Sequence, residues 1–362
     1  MPSTEMPSTE MPSTGMPSTG MNVLVTGHRG YIGVEMVSAL TAAGHTVIGL
    51  DAGLYDECDF VSPPDDVENV AVDLRDVTPA NLDGIDAVVH LGALSNDPLG
   101  DLDSELTYDI NLHASVRLAT AAKEAGVERF LFASSCSLYG AGGDDMLDEQ
   151  AAFFPQTAYG ESKVRVEQEV RKLADDSFSP VYLRNATAYG VSRRLRADIV
   201  VNNLVGYAVT TGKVLLMSDG SPWRPLVHIG DIINAFEACL VAPRDLIHNE
   251  AFNVGMVGEN YRIRDVAEIV KDVVPGCEVE FAPGASPDTR NYRVDFSKIA
   301  ERLPGFEPRW TVRAGVEELY RAYTSAELTE DEWNGWRYYR LRTVNHLKEA
   351  GVIDEELRRI SP

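Results

Sequence analysis

The sequence predicts an α/β protein built on a doubly wound parallel sheet, and three observations carry that expectation. Short apolar runs alternate with helical patterns from residue 21 onward, as strand–helix–strand crossovers require. The first run enters three glycines spaced three apart, Gly27, Gly30 and Gly33. Later runs end in small or acidic residues, where a parallel sheet opens its ligand crevice.

Taken in order, residues 23–25 read as a buried parallel strand. Val34, Val37, Leu40 and Ala43 then recur at near-helical spacing, and Gly44 ends that helix. Residues 45–50 form a second strand that stops at Asp51. A third strand is expected over 70–76, ending in acids, and a fourth over 85–93, closed by Leu91, Gly92 and Ala93. Ser95, Asn96, Asp97 and Pro98 follow as a polar turn placed to face a substrate. A long amphipathic helix is expected over 106–125 with Gly126 as its cap, then a fifth strand over 130–133. Tyr159 opens another helix, carrying Val164, Val166, Val170 and Leu173.

From Ser192 a smaller half with its own helices, over 199–211 and 263–274, is expected. The domain reading is therefore 21–191 for the dinucleotide half and 192–327 for the substrate half. Residues 328–362 form a helical extension whose Trp336, Tyr339, Leu341 and Leu347 would pack against the body or a second subunit.

Composition narrows the partners. The chain has 362 residues, enough for a proper core, with 32 Lys+Arg against 56 Asp+Glu and a net charge of -24. Such acidity argues against nonspecific binding to nucleic acid or anionic membranes. The cysteines, Cys58, Cys136, Cys239 and Cys277, are scattered and have no histidine at ligand spacing. A metal site and a disulfide framework are thus not expected, and a reducing cytoplasm is. No apolar run approaches the roughly 20 residues that span a bilayer. Residues 1–20 repeat Met-Pro-Ser-Thr-Glu and then Met-Pro-Ser-Thr-Gly without apolar periodicity, and disorder is expected there.

The glycine turn is the first chemical signal. Strand, glycine turn and helix bring backbone N–H groups and a helix N-terminus against a pyrophosphate. Asp51, at the end of the next strand, can accept hydrogen bonds from both adenosine ribose hydroxyls. Its charge would repel a 2′-phosphate, so NAD rather than NADP is expected.

A second signal lies where the sheet's carboxyl edge should be. Ser134, Ser135, Cys136 and Ser137 follow the fifth strand, and Tyr159 and Lys163 stand four apart on one helix face. A phenol with a pKa of about 10 is a poor base at neutral pH. A nearby ammonium and the positive nicotinamide ring lower that value. A serine hydroxyl can then orient a carbinol while tyrosine moves the proton and hydride passes to or from the nicotinamide.

In their order along the chain, these residues resemble the extended short-chain dehydrogenase/reductases. The carriers are the glycine triplet, Asp51, Asp73-Leu74, the His90 to Ala93 stretch, Ser134-Ser135 and Tyr159-x-x-x-Lys163. The nearest type is the nucleotide-sugar epimerases and dehydratases, UDP-galactose 4-epimerase-like, over roughly residues 21–323. The resemblance implies a Rossmann-type sheet with a smaller α/β substrate region. Tyr159 would be the acid/base, Ser135 its partner and Lys163 the ligand of the nicotinamide ribose. Gly27, Gly30, Tyr31, Ile32 and Gly33 would cradle the dinucleotide, with Asp73 and Leu74 at the adenine. Leu91, Gly92, Ala93 and Asn111 would line it further along. Ser95, Asn96, Ser137, Thr187, Asn203, Arg224 and Arg290 would meet a nucleotide-diphosphate sugar, with Arg224 on the diphosphate. A homodimer is implied too, pairing the 106–125 helix with the Tyr159 helix across a twofold axis.

Departures from that pattern separate the possible activities. Dehydratases of this type place Asp-Glu after the catalytic hydroxyl residue, where this chain has Cys136 and Ser137. Cys136 reads as a small filler. Ala186 and Thr187 replace a bulky ring and an asparagine, which points to a different sugar or sugar orientation. The leading expectation is an NAD-dependent epimerase acting at C4 through a transient keto-sugar. The alternatives are a ketoreductase, dehydrogenase or dehydratase of the same type, and a non-catalytic NAD-sensing or scaffold protein.

Overall fold

The computed structural model describes residues 20–95, 103–140, 145–286 and 291–360. The repeat expected to be disordered, up to residue 19, therefore lies outside the described residues.

The first half alternates strands and helices as the apolar pattern requires. It runs β1 (Asn22–Thr26), α1 (Gly33–Ala42), β2 (Thr46–Leu50), β3 (Glu68–Val70), β4 (Ala87–His90), α2 (Ala114–Glu124), β5 (Arg129–Ser135), β6 (Met146–Leu147) and α3 (Ala158–Arg171). The second half runs β7 (Ser179–Asn185), β8 (Thr187–Tyr189), α4 (Val200–Thr211), β9 (Lys213–Ser218), β10 (Trp223–His228), α5 (Ile229–Val241) and β11 (Ala251–Val254). It continues through β12 (Asn260–Arg262), α6 (Ile263–Val273), β13 (Glu278–Ser286), β14 (Arg293–Val294), α7 (Val312–Ser325) and α8 (Arg340–Glu349).

Seven strands form one parallel sheet in the order β11-β7-β5-β4-β1-β2-β3. Successive side chains of β1 point to opposite faces. Val23 and Val25 join Val37 and Leu40 of α1 and Phe236 of α5 in one apolar layer. Leu24 joins Leu118 of α2 and Val166 and Val170 of α3 in the other. A sheet buried on both faces explains why these strands read as unbroken apolar runs.

Three expectations need correction. The third strand ends at Val70; Asp73 instead caps a 3-10 turn, Leu74–Asp76, by accepting the Arg75 backbone N–H at 2.9 Å. The helix expected over 106–125 begins at Ser104 and passes through a π-helical stretch, Tyr108–His113, before α2. The boundary at 191/192 does not divide the molecule in two, because α5 and β11 return to the first half. There β11 pairs with β7 and completes the central sheet. A parallel strand needs a long crossover to regain its edge, and here the crossover contains part of the second lobe.

That lobe packs α4, α6 and α7 around their own apolar cluster, with Leu204, Val266 and Val316 inside. The C-terminal extension belongs to the body. A Cβ on Gly206 would lie 2.0 Å from the Trp333 ring, so only glycine lets Trp333 seat on α4. Val344, Leu347, Ile353 and Leu357 pack with Leu94 beyond β4. Among the described residues no helix is long and apolar enough to cross a membrane.

Candidate active site

A cavity of about 860 Å³ opens at the carboxyl ends of β1, β2, β4, β5 and β7, between the sheet and the second lobe. Most of the residues singled out from the sequence line it.

The glycine turn forms its floor. Gly27 has φ +70°, and a Cβ there would lie 2.8 Å from the backbone nitrogen of Gly92. A Cβ on Gly33 would come within 2.1 Å of the Gly27 carbonyl oxygen. Bare backbone is therefore obligatory at both places, one for the turn and one for helix-on-strand packing. The Asp51 carboxylate is held by two backbone N–H groups, Gly53 donating at 2.7 Å and Arg29 at 3.1 Å. Asp73 faces the same end of the cavity and receives a forked contact from Arg75, with both bonds at 2.8 Å.

Behind this wall, Thr26, His90 and Ser115 form a buried chain. Thr26 Oγ1 lies 2.6 Å from His90 Nδ1, and His90 Nε2 lies 2.7 Å from Ser115 Oγ. Burial, aided by the charge of Lys163, pushes the His90 imidazole down to about 3, so it is neutral at physiological pH. Asn111 is 2 % exposed and clamps the Leu94 backbone, accepting its N–H at 2.7 Å and donating to its carbonyl at 3.1 Å. Asn111 thus sits one layer behind the cavity rather than on it.

At the end of β5, neighbouring serines have different hydrogen-bond partners. Ser134 donates to Glu167 Oε1 at 2.6 Å, which commits its hydroxyl to α3. Ser135 lines the cavity and accepts the Ser137 backbone N–H at 3.1 Å, capping the 3-10 turn Cys136–Tyr139. The Ser137 Oγ is buried with no hydrogen-bond partner among the described residues. Cys136 is buried and donates to the Arg184 carbonyl at 3.1 Å. Burial pushes its thiol well above the ordinary range.

Helix α3 supplies the other two groups. Thr157 caps its first turn by accepting the Gly160 N–H at 3.2 Å, which sets Tyr159 at the cavity mouth. Lys163, one turn on, donates to the Ala133 carbonyl at 2.8 Å, and its Nζ lies 5.6 Å from the centre of the Tyr159 ring. Burial pushes the ammonium down to about 7, while Glu167 opposes that shift.

On the second lobe Thr187, Asn203 and Arg224 line the cavity. Asn203 Nδ2 is committed to the Ala197 carbonyl at 2.8 Å and the Tyr339 hydroxyl at 3.2 Å. Ser95 accepts from Arg196 at 3.2 Å. Asn96 and Arg290 lie outside the described residues.

Sequence reasoning missed Asn185, Arg196, Arg340 and Leu357, all of which also line the cavity. Two of these come from the extension, whose helical pattern says nothing about where it docks. Arg196 closes an Arg-Arg-Leu-Arg run that could have drawn notice in so acidic a chain.

The sequence model of the NAD dependent epimerase/dehydratase family matches residues 23–255. The chain is 29% identical over 311 residues to the UDP-glucose 4-epimerase of Mycolicibacterium smegmatis, covering 82% of this chain and 96% of that protein. It is 25% identical over 328 residues to UDP-glucuronic acid decarboxylase 1 of Arabidopsis thaliana, covering 87% of this chain and 72% of the relative. The solved structure of MoeE5 in complex with UDP-glucuronic acid and NAD superposes with a TM-score of 0.74 at 25% identity, covering 84% of this chain and 99% of that one.

Proposed function

The chain belongs to the NAD dependent epimerase/dehydratase family, and on that premise we propose a nucleotide-sugar epimerase that acts at C4 through a transient 4-keto-sugar. Its cofactor is NAD. The cavity fits that group, with a glycine cradle that tolerates no Cβ and a carboxylate, Asp51, fixed at the ribose end. Bound there, NAD supplies a hydride acceptor and donor.

The protein's own part is proton transfer and orientation. Ser135 and Tyr159 are assigned to the sugar hydroxyl, with Tyr159 taking its proton as the C–H hydride departs. Lys163 in its charged form stabilises the phenolate. Rotation of the keto-sugar presents its other face, and Tyr159 returns the proton to the new alcohol. Thr187 and Arg224 are assigned to the sugar and its diphosphate.

One observation carries the choice of epimerisation over dehydration. Elimination needs a second acid/base pair beside Tyr159. The carboxylates lining the cavity among the described residues are Asp51, Asp73 and Asp198. Asp51 is held by backbone amides, Asp73 by Arg75 and Asp198 by Arg196. Cys136, beside Ser135, is buried with its thiol protonated. A single acid/base at the carbinol suits reversible oxidation and reduction.

Purified protein incubated with UDP-glucose, UDP-galactose and UDP-glucuronic acid without added NAD tests the reading. Interconversion of C4 epimers by NMR, with no accumulation of NADH absorbance, is expected. A 4-keto uronic acid is a β-keto acid, so release of CO2 would instead assign a decarboxylase. A 4-keto-6-deoxy product would assign a dehydratase.

We also propose a homodimer. Helices α2 and α3 pack side by side on one face of the sheet, as a twofold four-helix interface needs. Sedimentation as a monomer at micromolar concentration would overturn this.

A further inference from the structure

Two arginines in the cavity have no role in the chemistry above. Arg340 opens α8, in the extension beyond the family match. It is 1 % exposed yet lines the cavity. Its Nη2 donates to the Arg194 carbonyl at 3.0 Å and its guanidinium lies over the Tyr55 ring, 4.2 Å from the centre. Its Nη1 has no hydrogen-bond partner among the described residues. Arg196 is 7 % exposed and lines the same cavity. Its Nε pairs with Asp198 at 2.8 Å and its Nη1 donates to Ser95 at 3.2 Å, while its Nη2 has no partner among the described residues.

Asp198 holds the two arginines together, because its second oxygen accepts the Arg340 backbone N–H at 3.3 Å. Two buried arginines thus flank one carboxylate, Arg196 bonded to it through its guanidinium and Arg340 through its backbone N–H. Arginine keeps its charge even when buried, and an uncompensated buried charge is costly. An arrangement of this kind is stable when an anion completes it, and guanidinium forks match phosphate oxygens.

Position identifies which anion. Tyr55, under Arg340, follows the Asp51 loop, and Arg196 and Arg340 line the same cavity as Gly27, Gly30, Tyr31 and Gly33 of the glycine turn. The extension then closes over the same end. Leu357 lines the cavity, Arg358 pairs with Asp76, and Arg359 donates to the Ala52 carbonyl at 2.8 Å.

We propose that Arg196 and Arg340 bind the pyrophosphate of the dinucleotide opposite the glycine turn, so that the C-terminal extension clasps the cofactor in its cleft. The proposal rests on the NAD reading and adds to it a reason for retention. The clasp closes over bound NAD from outside the sheet, which suits an enzyme that oxidises and reduces within one turnover.

The test uses full-length protein stripped of cofactor, as wild type, Arg340→Met and Arg340→Lys. Calorimetric titration with NAD, ADP-ribose and UDP is combined with thermal melting of the unliganded proteins. Arg340→Met is expected to weaken NAD and ADP-ribose at least tenfold and to leave UDP unchanged. Arg340→Lys, which keeps the charge but loses the fork, should fall between. The unliganded Tm of Arg340→Met should hold or rise, because an unpaired buried charge has been removed. A sharp fall in that Tm would make the role merely structural. Loss of UDP affinity alone would give the anion to the sugar nucleotide, and unchanged affinity for NAD and ADP-ribose would overturn the proposal while leaving the NAD reading intact. A wild type that binds neither NAD nor ADP-ribose would overturn both.

Discussion

Lys163 holds its amine 5.6 Å from the centre of the Tyr159 ring while donating to the Ala133 carbonyl at 2.8 Å. The lysine is therefore anchored to β5, and its charge is presented to a phenol on its own helix. Two groups a turn apart on α3 are registered against the strand that carries Ser135. The catalytic assignment stands on this relationship, and it is open to direct test.

Tyr159→Phe removes the proposed proton carrier without changing the ring. Turnover of the true substrate is expected to drop roughly 10²–10⁴-fold, the usual contribution of general acid–base catalysis, while bound NAD persists. Unchanged turnover would discard the assignment.

Lys163 also predicts a pH dependence of stability. Its folded value is pushed down to about 7 by burial, whereas an unfolded lysine titrates at about 10.4. Between those values the unfolded chain binds the extra proton, so this group makes the cofactor-free protein more stable as pH rises. Wild type should gain on Lys163→Met across that window in chemical denaturation. A difference that stays flat with pH would contradict the burial argument.

Asp51→Ala should lower NAD affinity about tenfold, the worth of a charge-assisted hydrogen bond. It should also narrow the preference over NADP, since the repelling carboxylate is gone. Titration with both cofactors measures each effect, and a preserved preference would relocate the discrimination elsewhere.

Glu167 ties α3 to the sheet. It accepts from Ser134 at 2.6 Å and from Arg184 at 2.7 Å, and both members of the ion pair are almost fully buried. Glu167→Ala leaves the Arg184 charge buried with its main partner lost, a change expected to cost about 3–5 kcal/mol. Equilibrium unfolding reads this directly, and a loss below 1 kcal/mol, on the order of a surface ion pair, would show the pair to be solvated.

Gly33→Ala introduces a Cβ that must displace the Gly27 carbonyl. The glycine turn cannot keep its shape, so NAD affinity should collapse together with stability, the latter by about 1–3 kcal/mol as for other overpacked sites. Retained NAD binding with an unchanged Tm would show that the turn is slack.

Much of the site could be read from residue order because each part has a local physical signature. Glycines at Gly27 and Gly33 mark backbone that approaches other backbone, Asp51 ends a strand, and the Tyr159–Lys163 spacing is a helix face. What could not be read involved partners distant in the chain. The third strand stops short of its expected end because the acids after Val70 belong to a turn capped by Asp73. Asn111, expected along the dinucleotide, commits its amide to the Leu94 backbone, a partner its own stretch of sequence does not reveal.

The local pattern of apolar runs, glycines and helix faces was sufficient for a parallel sheet and a glycine turn, and it set the proposed Ser135, Tyr159 and Lys163 on one cavity, since each depends on residues a few positions apart. Placing β11 beside β7, joining α5 to the first half and seating the extension against Leu94 at the cavity depended on long-range packing. Arg340 shows the difference most plainly. In the sequence it is one arginine in a polar helix, and only the fold brings it beside Arg196, which precedes it by more than a hundred residues, because Asp198 hydrogen-bonds to both.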